Sequence, residues 1–259
     1  MGHYNNEVTE LPGGAIDTEY YGATIRSAVG QAANVFYGYR TEGVFTTTEE
    51  AHAAQLYRLA DNGVDHVYFG AGDVHFADLD HNGVIDERDR TVIGNPNPDA
   101  YGTVTTALHW KRWSLDAALT YSLGNDIYNY QRSQLEGGQR FMNQTMAMTR
   151  RWHGEGHQTD IPRITFQDPM GNGRFSDRWI EDGSYLKLHS VTLSYRLPLN
   201  TQFLQGLEFW LQGQNLLTFS NYLGGDPETA VTGNVIGQGI DIGLLPHSRS
   251  VVAGIKINL

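Results

Sequence analysis

Residues 101–110 and 113–122 constrain this chain most, because two alternating runs separated only by Lys111 and Arg112 have one way to fold. In the second run Trp113, Leu115, Ala117, Leu119 and Tyr121 fall on one face. Ser114, Asp116, Ala118, Thr120 and Ser122 fall on the other, the period-two pattern of a strand. In the first run Val104, Leu108 and Trp110 share a face with Gly102 and Thr106, against Thr103, Thr105, Ala107 and His109. A two-residue link makes the pair a tight antiparallel hairpin. Lys-Arg is not the Asn-Gly type favoured where φ must be positive, so the turn type stays open. Trp110 and Trp113 at one end of the apolar stripe and Tyr121 at the other bracket small aliphatic residues. Rings at both ends of an apolar band are the dress of a membrane-spanning strand. A sheet in a soluble sandwich can carry the same pattern, so the hairpin alone leaves both open.

With 259 residues, 30 of them glycine and 14 tyrosine, and only 18% charged, the composition is that of a β protein rich in turns and rings. No run reaches the ~18 apolar residues of a spanning helix, and hydropathy is silent on barrels, where only alternate residues face lipid. The net charge of −11 and the lack of a basic stripe argue against nucleic acid. Zero cysteines exclude disulfides and thiolate metal sites. The opening residues Met1 to Asn6 show no signal peptide, so if the protein is exported its address lies upstream.

In chain order, Asn5 to Leu11 reads as a strand end broken by Pro12, Gly13 and Gly14. Residues 15–46 read as irregular. Thr47 with Glu50 forms a capping box for a helix through Ala60, stopped by Asn62 and Gly63. The sharpest local motif is Asp78-Leu-Asp80-His-Asn82-Gly83-Val84-Ile85-Asp86-Glu-Arg-Asp89. Oxygen donors stand at loop positions one, three, five and nine, glycine at six, a main-chain carbonyl (Val84) at seven and an acid at twelve, the spacing of an EF-hand loop. A hard divalent cation wants roughly six to eight oxygens at about 2.3–2.6 Å, and glycine permits the turn that gathers them. Asp78, Asp80, Asn82, Val84, Asp86 and Asp89 are therefore candidate ligands for a structural Ca2+, with Ile85 supplying an anchoring β contact. The twelfth residue is Asp rather than Glu, and Asn95-Pro96-Asn97-Pro98 rules out a following helix. The motif is expected to pin a long loop, with an Asx-rich turn without metal as the alternative.

After the hairpin a long loop runs to about Ser184, with a stretch from Gln131 to Trp152 expected to be partly helical. His153-Gly-Glu155-Gly-His157 lacks the spacing and helix of a zinc protease and reads as a loop without metal. Arg150, Arg151, Arg163, Arg174 and Arg178 read as solvated charges. Strand grammar returns at Tyr185 to Leu197, with Val191, Leu193, Tyr195 and Leu197 against Ser190, Thr192, Ser194 and Arg196. Pro198 and Asn200 mark a short link. Leu207, Phe209, Leu211 and Gly213 then oppose Glu208, Trp210, Gln212 and Gln214, and Val251, Ala253, Ile255, Ile257 and Leu259 alternate against Val252, Gly254, Lys256 and Asn258. Links after Trp110 and Leu197 are short, while those before Tyr101, after Ser122 and after Phe219 are long. In an up-and-down sheet the long links share one end, the layout of an outer-membrane barrel.

Ser176-Asp-Arg-Trp-Ile-Glu-Asp-Gly-Ser-Tyr-Leu-Lys-Leu188, with Val191-Thr-Leu-Ser-Tyr195 and Leu197-Pro198, resembles the C-terminal part of the SusC/RagA family of TonB-linked outer-membrane transporters. Further blocks agree in order: Phe36-Tyr-Gly-Tyr39, Glu42-Gly-Val-Phe45, Gly72-Asp73, Ile93-Gly-Asn-Pro96, Gly124-Asn-Asp-Ile-Tyr128, Gly213-Gln-Asn-Leu216, Asp226-Pro-Glu228 and Gly239-Ile-Asp241. The resemblance implies an all-β piece of a 22-stranded transmembrane barrel, here an open, incomplete sheet with long extracellular loops. Residues 1–100 would hold the end of a preceding strand and an outer loop with the EF-hand-like loop 78–89. Residues 101–259 would hold the last five or so strands, the plug being absent. It further implies outer-membrane import of glycans or peptides with a SusD-type surface lipoprotein as lid, powered by the TonB complex through the missing N-terminal part. Such barrels usually finish on an aromatic residue, where Leu259 stands here. No catalytic constellation is found. Trp152, Trp179 and Tyr222 are candidate substrate contacts among the loop aromatics. The alternative is a secreted calcium-stabilised β-sandwich module that binds carbohydrate and packs its apolar stripes inward.

Overall fold

The computed structural model describes residues 2–3, 6–199, 206–228 and 234–258. Asn5, Asn200 and Leu259 lie outside them. Five long strands follow one another: β1 (Ala100–Trp110), β2 (Trp113–Leu123), β3 (Tyr185–Pro198), β4 (Gly206–Ser220) and β5 (Ser250–Asn258). They pair antiparallel in chain order, and the short strand Gly2–His3 adds to the free side of β1. The hairpin closes as the alternation requires, with Trp110 opposite Trp113. Its turn is now defined at one position: Lys111 carries the positive φ, 56°.

Neighbouring strands place like with like. Leu108, Leu115, Leu193, Leu211 and Ala253 form one row across the sheet, and Trp110, Trp113, Tyr195, Phe209 and Ile255 form the next. A third row holds Val104, Leu119, Leu188 and Leu217, and a fourth Gly102, Tyr121, Leu186 and Phe219. These rows are not packed on a second sheet. Leu108 is 60% exposed, Phe219 63% and Val251 67%. The inward-packed stripes expected of a β-sandwich are therefore not observed. No helix among the described residues is long and apolar enough to cross a membrane, which bears on helices only.

One irregularity decides which side chains join the apolar rows. Register slips between Leu188 and Ser190, so that His189 is an extra residue relative to β2. By unbroken alternation Lys187 would share the face of Val191. The bulge instead aligns Leu186 and Leu188 with Tyr121 and Leu119, and Lys187 with Thr120 on the polar face.

The long connections 124–184 and 221–249 leave the same end of the sheet. The described residues of these connections (124–184, 221–228 and 234–249), together with residues 6–99, build a body of short strands. Ala15–Tyr20, Ala23–Ala28, Val35–Tyr39 and Arg90–Gly94 form one sheet. The expectation of irregular structure over 15–46 is thus corrected. Tyr21 and Gly22, with φ of 51° and 75°, make a two-residue hairpin turn between Tyr20 and Ala23. The helix expected through Ala60 is only α1, Thr48–Ala54. Thr47 caps it by accepting from Glu50 N, and Gln55 ends it in the left-handed region at φ 53°. Tyr57–Leu59 and His66–Tyr68 then pair, so Asn62 and Gly63 turn a hairpin rather than stop a helix. The stretch after Gln131 is partly helical: α2 covers Tyr130–Glu136, and a 3-10 turn covers Met146–Arg150. Both buried apolar clusters lie in this body, one around Phe45, Phe69, Val74 and Phe76, the other around Phe36, Tyr128, Trp179 and Ile240.

Candidate functional site

The acidic loop folds by local forces its sequence announces. His81 and Gly83 take positive φ, 57° and 79°, and the chain reverses tightly enough for Gly83 N to donate to Asp78 Oδ2 at 2.8 Å. Asn82 N donates to Asp78 Oδ1 and to Asp80 Oδ1, each at 3.2 Å. Ile85 is buried, and its N–H donates to the Tyr57 carbonyl at 2.8 Å, the anchoring contact expected of position eight. Asp89 is fully buried and accepts from Leu79 N at 2.8 Å and Asp86 N at 2.9 Å.

Carboxylate oxygens of Asp78, Asp80 and Asp89 lie within 4.8 Å of one another. No Lys or Arg forms an ion pair with these three among the described residues. Such convergence of anions suits a hard cation at these three of the expected ligands. Asp86 departs from the pattern, because its carboxylate caps Arg88 N at 2.8 Å and does not join the trio. Asn82 Oδ1 accepts from Val84 N at 2.6 Å.

A second group of acids was not anticipated from sequence. Asp226, Glu228 and His247 also bring ligand atoms within 4.8 Å, but the Lys187 ammonium stands among them. Lys187 Nζ is 2.6 Å from Glu228 Oε2, 3.1 Å from Asp226 Oδ2 and 3.3 Å from His247 Nδ1, and the residue is 1% exposed. A side-chain cation fills the position a metal would take. Burial pushes the Asp226 carboxyl up. Hydrogen bonds from Glu228 N, Lys187 and His247 outweigh it and hold the group below its ordinary value. The cluster ties the loop after β4 to the polar face of β3. Its partners stand 39 to 60 positions from Lys187, which no local motif reports.

Of the five arginines read as solvated charges, Arg150 is exposed as expected, while Arg163, Arg174 and Arg178 need correction. Arg163 forms a two-pronged pair with fully buried Asp73, both contacts at 2.8 Å, and Asn172 Nδ2 adds a third bond to Asp73 at 2.9 Å. Arg174 lies 4.5 Å over the Phe76 ring and donates to the Met170 and Gly171 carbonyls. Arg178 lies 4.7 Å over Trp179, and burial pushes its guanidinium down to about 10. These cations brace the loop body through ring faces and carbonyls.

Of the three aromatic candidates, Trp179 is 0% exposed and donates to the Arg174 carbonyl at 3.0 Å. Tyr222 is 8% exposed, and its hydroxyl donates to Asp241 at 2.6 Å. Burial, with Asp241 next to it, raises its pKa. Trp152 is half-buried, with Nε1 donating to the Thr46 carbonyl at 3.1 Å. The structure does not bring these three together, and their polar atoms serve the loop body. His153 and His157 lie with ring centroids 4.2 Å apart and planes tilted by 30°, while Glu155 accepts from Thr48 N and Oγ1 at the start of α1.

No family model matches the chain. Individual relatives do. TonB-dependent receptor P3 of Formosa agariphila is 32% identical over 88% of this chain and 22% of its own length. TonB-dependent receptor SusC of Bacteroides thetaiotaomicron is 24% identical over 98% of this chain and 23% of its own. The chain thus spans about a quarter of the length of these relatives. Among solved structures, the RagAB peptide importer in its open-open state matches with a TM-score of 0.73 at 22% identity, over 98% of this chain and 25% of that one. A second structure of the RagAB peptide transporter gives 0.73 over 97%. Along nearly its whole length, the chain resembles the TonB-dependent receptors of the SusC/RagA family in sequence, and RagAB in fold.

Proposed function

We propose that this chain is part of a TonB-dependent importer of oligosaccharides or peptides in the bacterial outer membrane, working with a SusD-type lid lipoprotein. In this reading residues 101–259 supply the last five or so strands of a 22-stranded barrel, and residues 1–100 the end of a preceding strand and an outer loop. The plug and the segment that meets the TonB complex belong to the part not represented here. The chain transports and does not catalyse.

One observation carries the reading. The rows of Leu, Val and Ile that a water-soluble sheet would hide are exposed at Val104, Leu108, Leu193, Leu211, Leu217 and Ile255 and half-buried at Leu115, Leu119 and Leu188, with Trp110, Trp113 and Tyr195 along one margin and Tyr121 and Phe219 along the other. Hydrocarbon is the solvent in which that face is stable, and interfacial rings belong at its two edges. The opposite face carries Lys187, Thr192, Ser194 and Gln212, as a lumen wall requires. An open sheet cannot satisfy its edges in lipid, so the test uses the full-length receptor. Expressed with its lipoprotein partner, it is expected in the outer-membrane fraction, supporting TonB-dependent growth on an oligosaccharide or peptide nutrient. Recovery as a soluble monomer contradicts the reading.

The acidic loop would hold a structural Ca2+ through Asp78, Asp80, Asn82, the Val84 carbonyl and Asp89, with Asp86 at the ninth position. A bound ion would neutralise converging carboxylates and stiffen the outer rim. Isothermal titration of the folded receptor is expected to show Ca2+ binding that Asp78→Ala abolishes. A flat titration of the wild type removes the claim.

A further inference from the structure

We propose that the pocket between α1 and the acidic loop is a surface site for a neutral oligosaccharide. It encloses about 920 Å3 and is lined from three directions. Ala51 and Phe69, both buried, form its floor. Tyr57 and Tyr68 form an aromatic wall, their ring centroids 5.5 Å apart. His52 and Gln55 come from the end of α1, and Asp78, His81 and Asn82 from the acidic loop.

Two features make this a prepared surface rather than a chance hollow. Tyr57 N donates to the Gly83 carbonyl at 3.0 Å, and Ile85 N returns to the Tyr57 carbonyl, so the aromatic wall and the acidic rim share a fixed backbone. The Tyr57 ring is held by stacking on His66 at 4.0 Å, which leaves Tyr68, 58% exposed, as the platform open to solvent. Rigid walls lower the ordering cost of binding.

The chemistry selects the ligand class. His52, Gln55 and His81 are exposed and make no side-chain hydrogen bond among the described residues. Imidazole and carboxamide groups both donate and accept, which suits sugar hydroxyls, while a tyrosine face takes the C–H side of a pyranose. No Lys or Arg lines the pocket, so nothing there recruits an anion. Asp78 is its only carboxylate, and its oxygens turn inward to the acidic loop, where they accept from Asn82 N and Gly83 N and would also face the Ca2+ proposed above. A ring-shaped, hydroxyl-rich, uncharged ligand satisfies this lining. The pocket uses none of the long strands; its ligand class rests on one of the two the importer reading allows, while the site itself is new and can fail separately through the Tyr68 and Gln55 variants.

The test measures binding of maltohexaose, cellohexaose, xylohexaose and mannohexaose to the full-length receptor in detergent, after membrane insertion has been scored separately. At least one hexasaccharide is expected to bind, with Tyr68→Ala weakening it by about tenfold or more and Gln55→Ala by roughly threefold. Tyr68→Phe, which keeps the ring, and Val64→Ala, on the same hairpin outside the pocket, are expected to bind as wild type. The proposal is overturned if no hexasaccharide binds below about 10 mM, or if Tyr68→Ala and Gln55→Ala leave binding unchanged. It is also overturned if a hexapeptide pool binds in a Tyr68-dependent way while the sugars do not.

Discussion

In the loop body the largest side chains withdrawn from solvent are Trp179, Phe36, Phe45 and Phe76, all at 1% exposure or less. In the long-strand sheet the deepest side chain is Lys187, also at 1%, while Leu108 and Ile255 stand 60% and 62% exposed. The loop body thus hides large apolar rings, beside the hydrogen-bonded carboxylates of Asp73 and Asp89, while the sheet leaves its apolar rows largely uncovered. Removal of apolar surface from water accounts for the first region. The second makes physical sense only if its outer face meets a medium as apolar as its own side chains. The difference teaches that each region answers to its own solvent: water drives the rings of the loop body inward, and under the importer reading hydrocarbon receives the apolar rows of the sheet.

Trp179→Ala attacks the water-facing order most strongly. Emptying a fully buried indole site that also anchors Arg178 is expected to cost about 3–5 kcal/mol of loop-body stability. Hydrogen exchange should rise across residues 126–129 and 180–182 and leave the long strands protected. Loss of protection in both regions at once would erase the distinction between them.

Leu211→Arg attacks the other order. At 49% exposure, a charge there would be harmless on a soluble surface. Facing hydrocarbon, it is expected to destabilise the folded receptor in lipid vesicles by about 2–4 kcal/mol, measured by denaturant titration. Gln212→Arg, on the polar face, is expected to cost much less.

A smaller effect links the regions through pH. The folded Asp226 carboxyl titrates below its ordinary 3.8, so its contribution is complete above that value and lost as pH falls through the depressed one. Protease nicking of 221–249 is expected to stay flat from neutral pH down to about 4 and to rise only under stronger acid. The smallest effect is expected at the part-exposed Arg26–Asp17 pair, where Asp17→Asn should change stability by about 0–1 kcal/mol.

Much of the sheet was legible because a strand's period is short and local. The alternation at Trp113 to Tyr121 and at Leu207 to Gly213 assigned faces that the pairing reproduces. The slip at His189 was not legible, since a bulge is defined by register against neighbouring strands. That slip is why Lys187 escaped notice: naive alternation puts it on the apolar side. The turn of the acidic loop could be read because Asp78, Asn82 and Gly83 act within a few residues of each other. The braced arginines could not, because the partner of Arg163 is 90 residues away. Residues 15–46 hid their strands behind polar, mixed segments whose hairpin turn uses Tyr21 in place of the usual Asn or Asp.

The central claim, that the apolar rows face lipid, is open to one direct measurement. This chain has no cysteine, so single spin labels at Leu211, Gln212, Ala253 and Val252 can be placed in the full-length receptor reconstituted in bilayers once any cysteine outside this chain has been replaced. Oxygen and nickel-chelate accessibilities should alternate, with 211 and 253 accessible to oxygen from the lipid and 212 and 252 shielded from it. Uniform accessibility to the water-soluble chelate at all four positions would contradict the account.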